Sequence, residues 1–389
     1  MEKRERLERY LERVDLESVW FARPNAFAWL TGGSNVVDRA DPVGVAAVGY
    51  DGSDVCVLTN NVEADRIENE ELPDLDDAVA VEVFPWHETS LEAAIAERVD
   101  GPAAADIDVP GLERVDPTPL RQPLTARDRD RYRELGREVS RSVEAVCREL
   151  RPEDTEREVA AAVRVALSAR GIEAPVVLVG GADRAGQYRH YTPTTARLGD
   201  YALVSVTAAR AGLHASCTRT VAFDPPAWLE RRHEAAARVE TTALAATQAV
   251  GTVGEGGLSS RDRGTSGDVF AAIQDAYDAV SYPGEWEHHH QGGAAGYSGR
   301  EWIATPDSEH PVGLPMAYAW NPTVEGAKSE GTVLVTGRDE DGDGNDTSDD
   351  RAENGFEPLT STGDWPTITV EAIGYDLELE RPAILEQDG

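Results

Sequence analysis

Lysine is the residue type that this chain most clearly lacks. Only Lys3 and Lys328 are lysines, so 35 of the 37 basic residues are arginine, and 72 acidic residues give a formal net charge of −35. No basic stripe is present that could neutralise phosphates, which argues against nucleic acid as a partner. Such acidity is typical of a protein from a salt-saturated cytoplasm, where a Debye length of roughly 3 Å at about molar ionic strength screens self-repulsion.

Cysteines and long apolar runs are also scarce. Cys56, Cys147 and Cys217 are odd in number and scattered, with no CxxC pair, so neither a disulfide framework nor a thiolate zinc site is expected. No apolar run approaches the ~18 residues that a membrane-spanning helix needs. The N-terminal stretch MEKRERLERYLERV has a charged helical pattern and not that of a signal peptide. The sequence therefore predicts a soluble, cytoplasmic protein with no membrane partner.

The length of 389 residues suggests two domains. In residues 1–122, short helical patterns alternate with β-rich runs, among them FAWLTG (27–32), which is typical of an α/β domain. The Pro- and Asp-rich stretch 108–123 is interpreted as a linker. We therefore predict one domain over 1–122 and a second over 123–389.

The second domain mixes helical and strand patterns. Apolar residues recur every three or four positions over 132–150, which predicts a long helix. Thr155 and Glu158 form a capping box that opens another helix, and Gly171 is expected to close it. Further helices are expected from Asp224 and Ser266, with strands at 174–179, 201–206 and 332–336. The pattern alone predicts an α+β domain.

Four segments carry a family resemblance: GDYALVSV (199–206), HASCTRT (214–220), HHQGGAAG (289–296) and WNPTVEGAKSEGTVLVT (320–336). In sequence and order they resemble the pita-bread (M24) metallopeptidase family, which includes methionine aminopeptidase, prolidase, aminopeptidase P and the metal-free creatinase. NAFAWLTGG (25–33) is similar to the start of the non-catalytic N-terminal domain of creatinase and prolidase. The resemblance implies helices outside a curved antiparallel sheet, an Xaa-Pro aminopeptidase or dipeptidase ancestry, and a homodimer.

The residues that hold two divalent metals in this family are mostly replaced here. Laid onto this chain, the family's two Asp, one His and two Glu fall at Ser205, Ser216, Gly293, Asn321 and Glu330. A dinuclear site needs several anionic oxygens to offset two dications, and a single carboxylate cannot supply them. We therefore expect no metal cofactor; Mn, Co or Zn would be expected only if the chain were a metallopeptidase with substituted ligands.

Two residues are candidates for catalysis. His190, in RHYTP, matches the position at which the family keeps a His beside the substrate and at which creatinase has its catalytic base. The alternative is that His190 caps a loop or pairs with a neighbour. Glu330, the one surviving carboxylate, is the second candidate.

Further histidines lie in a cluster, His288 to His290, of which His289 matches the first His of the family's "H..GH..G". In a strand these side chains would point to alternate faces, so at most two could serve one site. We predict that His289 and His290 contact substrate. A mononuclear metal site of two of these histidines with Glu330 is an alternative.

Three more residues are predicted to orient a ligand: Arg300, Asn321 and Lys328. Arg300 replaces a second His of the peptidase pattern and suits carboxylate binding, although an ion pair within the fold is equally open. Lys328 is retained where nearly every other lysine is lost, which indicates a need for a compact ammonium. We predict that it pairs with Glu330 and fills the volume of a lost metal; a chance survivor on the surface is the alternative.

An acidic loop is predicted over 339–354. Its sequence DEDGDGNDTSDD (339–350) matches several positions of a calcium-binding loop, but Asp350 stands where the bidentate Glu belongs and no helices are predicted beside it. We therefore favour a solvated loop over a calcium site.

These observations predict a protein related to Xaa-Pro aminopeptidases and dipeptidases that has a degenerate dinuclear metal site. Its leading function is metal-independent hydrolysis or binding of a small amide, amidine or short peptide, with His190 as the base. One alternative is a non-catalytic module that binds a peptide or small molecule. A metallopeptidase with substituted ligands is the other.

Overall fold

The computed structural model describes residues 2–75, 79–253, 264–337 and 354–387. The chain divides into two compact units, Met1–Thr125 with Ala211–Leu213, and Ala126–Arg210 with His214–Gly389. The division falls between residues 125 and 126, whereas the sequence pattern predicts it after residue 122. Of the predicted acidic loop 339–354, all residues but Asn354 lie outside the described ranges.

The first unit is an α/β arrangement around one mixed sheet, with strand order β4-β3-β2-β1-β5-β6. Its helices are α1 Glu2–Val14, α2 Pro24–Thr31, α3 Ala64–Glu70 and α4 Leu91–Arg98, followed by a 3₁₀ turn at Thr118–Arg121. Its strands are β1 Ser18–Phe21, β2 Ala46–Tyr50, β3 Val55–Asn60, β4 Ala80–Phe84, β5 Ala103–Ala105 and β6 Glu113–Arg114. The strands β1 to β3 are antiparallel, whereas β4 and β5 run parallel to their inner neighbours.

The β-rich interpretation of residues 27–32 is wrong, because most of this run forms helix α2. Pro24 at the first helical position has a φ that suits a helix start, and Gly32 ends the helix in the left-handed region at φ 77°. Residues 26–31 are all buried. A short helix that is apolar on every side cannot be distinguished from a buried strand by periodicity.

The second unit contains the remaining elements that the structure describes. Its helices are α5 Ala126–Cys147, α6 Glu156–Ser168, α7 Ala182–Ala185, α8 Leu229–Val250 and α9 Ser266–Ala279, with a 3₁₀ turn at Glu285–His288. Its strands are β7 Glu173–Gly181, β8 Tyr201–Arg210, β9 Leu213–Ala222, β10 Thr252–Val253, β11 Gly292–Ala295, β12 Gly313–Leu314, β13 Met316–Trp320, β14 Thr323–Val324, β15 Ala327–Lys328, β16 Val333–Val335, β17 Phe356–Pro358, β18 Thr367–Glu371, β19 Glu378–Pro382 and β20 Leu385–Glu386.

Local sequence signals account for the helix ends. The predicted capping box is confirmed: Thr155 Oγ1 accepts the Glu158 N–H at 3.3 Å, and Glu158 Oε2 accepts the Thr155 N–H at 2.9 Å. Helix α8 begins at Leu229, later than the predicted start at Asp224. The backbone N–H of Asp224 donates to the carbonyl of Asp200 at 3.0 Å, which holds that segment beside the start of β8.

Two four-stranded sheets form the frame of the second unit, in the orders β20-β9-β8-β7 and β11-β13-β16-β17. Their pairings are antiparallel in β7–β8 and throughout the second sheet, whereas β20 is parallel to β9. Helix α8 is largely buried and packs against α9, β15 and β18. Its many alanine and threonine side chains are small, which allows the close approach. In the described ranges, no helix combines the length and the apolar character that spanning a membrane would require.

Candidate functional site

Two strands place hydroxyl groups at the positions where the resemblance expects two metal-binding aspartates. Ser205 lies on β8 and Ser216 on β9, and the residues two positions along each strand, Thr207 and Thr218, share their faces. The hydroxyls pair across the strands: Ser205 Oγ lies 2.8 Å from Thr218 Oγ1, and Thr207 Oγ1 lies 2.9 Å from Ser216 Oγ. Both serines are therefore satisfied by hydrogen bonds inside the protein.

Glu330 is the centre of a buried ion cluster. Lys328 Nζ lies 2.8 Å from its Oε2, and Arg300 Nη2 donates to its Oε1 at 3.0 Å. Thr218 Oγ1 also donates to Oε2, at 2.8 Å. Burial would raise the pKa of Glu330, but the positive charges of Lys328 and Arg300 outweigh it and lower the pKa to about 2. The carboxylate is thus ionised and held on both oxygens.

The predicted pairing of Lys328 with Glu330 is confirmed by this geometry. Lys328 is only 5% exposed, so it is not a chance survivor on the surface. For Arg300, the structure shows an ion pair within the fold, and its Nη1 donates to Ser216 Oγ at 3.2 Å. Lys328 and Arg300 therefore bring two positive charges to the oxygens of Glu330.

These residues do not fit a dinuclear metal centre. The single carboxylate, Glu330, is already engaged by Lys328 and Arg300. At Gly293, where the family has a His, a Cβ atom would lie 2.1 Å from the carbonyl oxygen of Trp302, so no side chain can be added there without a backbone shift. Two metal dications at these positions would have to displace the charged groups of Lys328 and Arg300. In exchange they would gain Glu330 as their one anionic ligand among the five positions.

Three histidines meet beside this cluster. His190 lies in the loop between α7 and β8, and His289 directly follows the 3₁₀ turn Glu285–His288. The expectation that the His cluster lies in a strand with side chains on alternate faces is wrong, because β11 begins only at Gly292. The rings of His289 and His290 instead stack, with centroids 4.3 Å apart and planes 25° apart.

The nitrogens of these three rings converge. His190 Nε2 lies 3.2 Å from His289 Nε2. Among the described His, Cys, Asp and Glu side chains, His190, His289 and His290 form the group that could hold a metal ion, with one nitrogen from each within 4.8 Å of the others. We call these three residues the imidazole trio. The mononuclear metal site considered from the sequence consisted of two histidines of the 288–290 cluster and Glu330. In the structure, the third residue beside His289 and His290 is His190 instead.

The surroundings keep two of these rings neutral. Burial, and after it the charge of Lys328, lowers the pKa of His289 to about 2. Burial, followed by the charges of Arg300 and Lys328, lowers the pKa of His290 to about 4. At pH 7 both imidazoles are therefore unprotonated. His190, by contrast, is exposed to solvent.

Asn321 provides a buried acceptor. Asn321 is 2% exposed, and its backbone N–H donates to the Gln291 carbonyl at 3.0 Å. Within the part of the chain that the structure describes, Oδ1 of Asn321 is buried without a hydrogen-bond partner. Leaving such an atom unsatisfied costs about 1–3 kcal/mol, so the site has an acceptor to offer to a ligand donor.

Tyr191 and Thr218 also line this cluster, and neither was predicted from the sequence as a site residue. The buried Tyr191 hydroxyl lies 2.9 Å from Ser205 Oγ, and burial raises its pKa. The alternation of side chains along β9 could have revealed Thr218, because it lies two positions after Ser216. No pattern in the sequence marks Tyr191.

The chain is similar to known proteins both in part of its sequence and in its fold. Residues 130–280 match the model named "Metallopeptidase family M24". No curated protein matches the chain by sequence. Among solved structures, the chain is similar to the prolidase from Pyrococcus horikoshii OT3, with a TM-score of 0.69 and 16% identity over 93% of this chain and 99% of that one. It is also similar to the Xaa-Pro dipeptidase from Bacillus anthracis, with a TM-score of 0.68 and 13% identity over 96% and 99%.

A third similar structure is a domain of a complex subunit. It is the N-terminal domain of FACT complex subunit SPT16 from Cicer arietinum (chickpea), with a TM-score of 0.60 and 11% identity over 93% of this chain and 96% of that one. At these identities the similarity establishes the fold, an N-terminal domain followed by a pita-bread domain, which confirms the predicted fold class.

Proposed function

We propose that the site binds a small amide, amidine or short peptide and hydrolyses it without a dinuclear metal centre. The match of residues 130–280 to the model of metallopeptidase family M24 supports a peptidase-related function. The observation that carries this proposal is the contact of Lys328 and Arg300 with both oxygens of Glu330. These cations take the place of the positive charge that the family's metals would supply. They also attract the carbonyl oxygen or carboxylate of a ligand.

His190 is the proposed base. It is exposed, and its Nε2 lies 3.2 Å from that of His289, whose low pKa keeps it neutral at pH 7. A neutral imidazole can hold its neighbour in one tautomer through this contact, which leaves His190 able to accept a proton from a water or ligand. Asn321 Oδ1 is proposed to accept an N–H of the ligand.

Replacement of His190 by alanine tests this role. With Xaa-Pro dipeptides, small amides and amidines as probes in multimolar KCl, we expect His190→Ala to lower turnover by about 10²–10⁴-fold, the usual contribution of a general base. Ligand binding, followed by calorimetry, should persist. His288→Ala is the matched control, because His288 is an exposed neighbour outside the imidazole trio and should keep wild-type turnover.

Equal turnover in the wild type and His190→Ala would contradict the role of His190. Binding of the same probes without any turnover would instead favour the second candidate, a non-catalytic module. That candidate is supported by the engagement of Glu330, which leaves no free carboxylate there to activate water. A homodimer remains a prediction for either function.

A further inference from the structure

We propose that the imidazole trio, His190, His289 and His290, is a mononuclear binding site for a late first-row divalent cation such as Zn²⁺. This site contains none of the five positions that the family resemblance assigns to metal ligands. It also differs from them in chemistry, because all of its ligands are nitrogens. Three His ligands with a fourth position open to water or a ligand are a known pattern for zinc.

The distances between the rings suit this role. With Zn–N bonds of about 2.0–2.1 Å, two nitrogens at tetrahedral positions lie roughly 3.4 Å apart. The separation of 3.2 Å between His190 Nε2 and His289 Nε2 is close to that value. The ligand nitrogens of all three rings lie within 4.8 Å of one another. Because the rings of His289 and His290 are stacked, one of them must turn to aim its in-plane lone pair at the same ion. His190 is exposed and gives an ion a path from solvent.

Unsatisfied nitrogens are a second, independent observation. Nδ1 of His289 and Nδ1 of His290 are buried and have no hydrogen-bond partner in the described ranges. Buried polar atoms are normally paired, and exceptions point to an absent water, ion or ligand. A mononuclear ion takes one nitrogen from each ring, so an ion on Nε2 of His289 would leave Nδ1 of that ring to an outer partner such as water. The unpaired Nδ1 of His290 is a nitrogen that the stacked ring can offer to the ion.

The nearby charges decide which metals are favoured. Lys328 and Arg300 oppose a dication, and the carboxylate of Glu330 offsets one of their two charges. Binding must therefore come from the imidazole lone pairs and not from charge. Imidazole suits Zn²⁺, Ni²⁺ and Cu²⁺, whereas Mg²⁺, Ca²⁺ and Mn²⁺ prefer oxygen ligands. We expect Cu²⁺ and Zn²⁺ to bind and Mn²⁺ to bind much more weakly.

This inference rests on the proposed function in one respect. A metal on the trio uses the lone pair of His190, which then cannot accept a proton. Metal occupancy should therefore oppose hydrolysis at this site, where the family resemblance would lead one to expect activation.

The test is metal binding by the untagged, full-length protein after chelation and dialysis into multimolar KCl. Titration with Zn²⁺ by calorimetry should give one ion per chain, and Co²⁺ should give the visible absorption bands of a four-coordinate site. His190→Asn and His290→Asn should each weaken binding by about 100-fold or more, since loss of even an outer-shell partner of a metal site costs ~10–100-fold. His288→Asn, the adjacent exposed control, should bind as the wild type does, and circular dichroism verifies that each variant is folded.

No saturable Zn²⁺ binding, or an equal loss of binding in His288→Asn and His290→Asn, would overturn the inference. Equal affinities for Mn²⁺ and Zn²⁺ would overturn it as well, because they would indicate oxygen ligands. The result is separable from the proposed function: peptide binding without zinc binding contradicts only the trio, and zinc binding without peptide or amide binding contradicts only the proposed function.

Discussion

Replacement of Lys328 by methionine is expected to lower the free energy of unfolding by about 3 kcal/mol or more. Lys328 and Glu330 are each 5% exposed and lie 2.8 Å apart. Removing one partner of a buried pair strands the other charge, which typically costs about 3–5 kcal/mol. Arg300 still contacts Glu330 in this variant, which favours the lower end of the range. Denaturant unfolding in multimolar KCl measures the change, and salt screens a buried pair much less than an exposed one.

The matched comparison removes Glu330 as well. Lys328→Met/Glu330→Gln should be less stable than Lys328→Met alone, because Arg300 then loses the carboxylate with which it pairs. A change below about 0.5 kcal/mol for Lys328→Met would be that of an ordinary surface substitution and would contradict the account. Lys328→Arg tests the need for a compact ammonium: unchanged folding and unchanged ligand binding would count against it.

Acidification from pH 7 to pH 5 is expected to destabilise the wild type more than His289→Gln, by about 2 kcal/mol. The pKa of His289 is lowered in the folded protein to about 2. Below the unfolded value of about 6.5, the unfolded chain therefore binds a proton that the folded chain does not, so stability falls as the pH falls. Each pH unit below that value contributes about 1.4 kcal/mol.

For Glu330 the direction is the same, but the pH window is lower. Its pKa is lowered to about 2, so its stabilising contribution is present above its unfolded value and is lost only as the pH falls towards 2. Its contribution is therefore nearly constant between pH 7 and pH 5. Unfolding curves of the wild type, His289→Gln and His288→Gln at both pH values, with a chelator present, isolate the buried ring. Identical pH dependence in the wild type and His289→Gln would contradict the low pKa.

Much of the fold could be predicted from the sequence because it is encoded locally. Thr155 and Glu158 specify a helix start through their own side chains, and the structure has that start. Helix α2 was missed because its burial on all sides is a property of the packed domain and not of a six-residue run. The late start of α8 has the same origin, because the hydrogen bond from Asp224 to Asp200 joins residues that are distant in sequence.

A site residue could be predicted from the sequence where its residue type is rare in the chain. Lys328 is conspicuous because lysine is nearly absent from the chain. Its partner Glu330 is only two positions away in the sequence, so their pairing could be predicted. The contact of His190 with His289 spans 99 positions and depends on how two loops meet. His190 and His289 were assigned to one site only because of the family resemblance. The contact between their ring nitrogens was not predicted.

The central claim is that fixed cations have replaced the dinuclear metal centre, and Mn²⁺ stoichiometry tests it most directly. Mn²⁺ prefers carboxylate ligands and so reports on the positions around Glu330 and not on the imidazole trio. After incubation of the wild type and Glu330→Gln with Mn²⁺ in multimolar KCl and removal of free metal, elemental analysis should find essentially no Mn²⁺ in either protein. Two Mn²⁺ ions per chain in the wild type, lost in Glu330→Gln, would contradict the account.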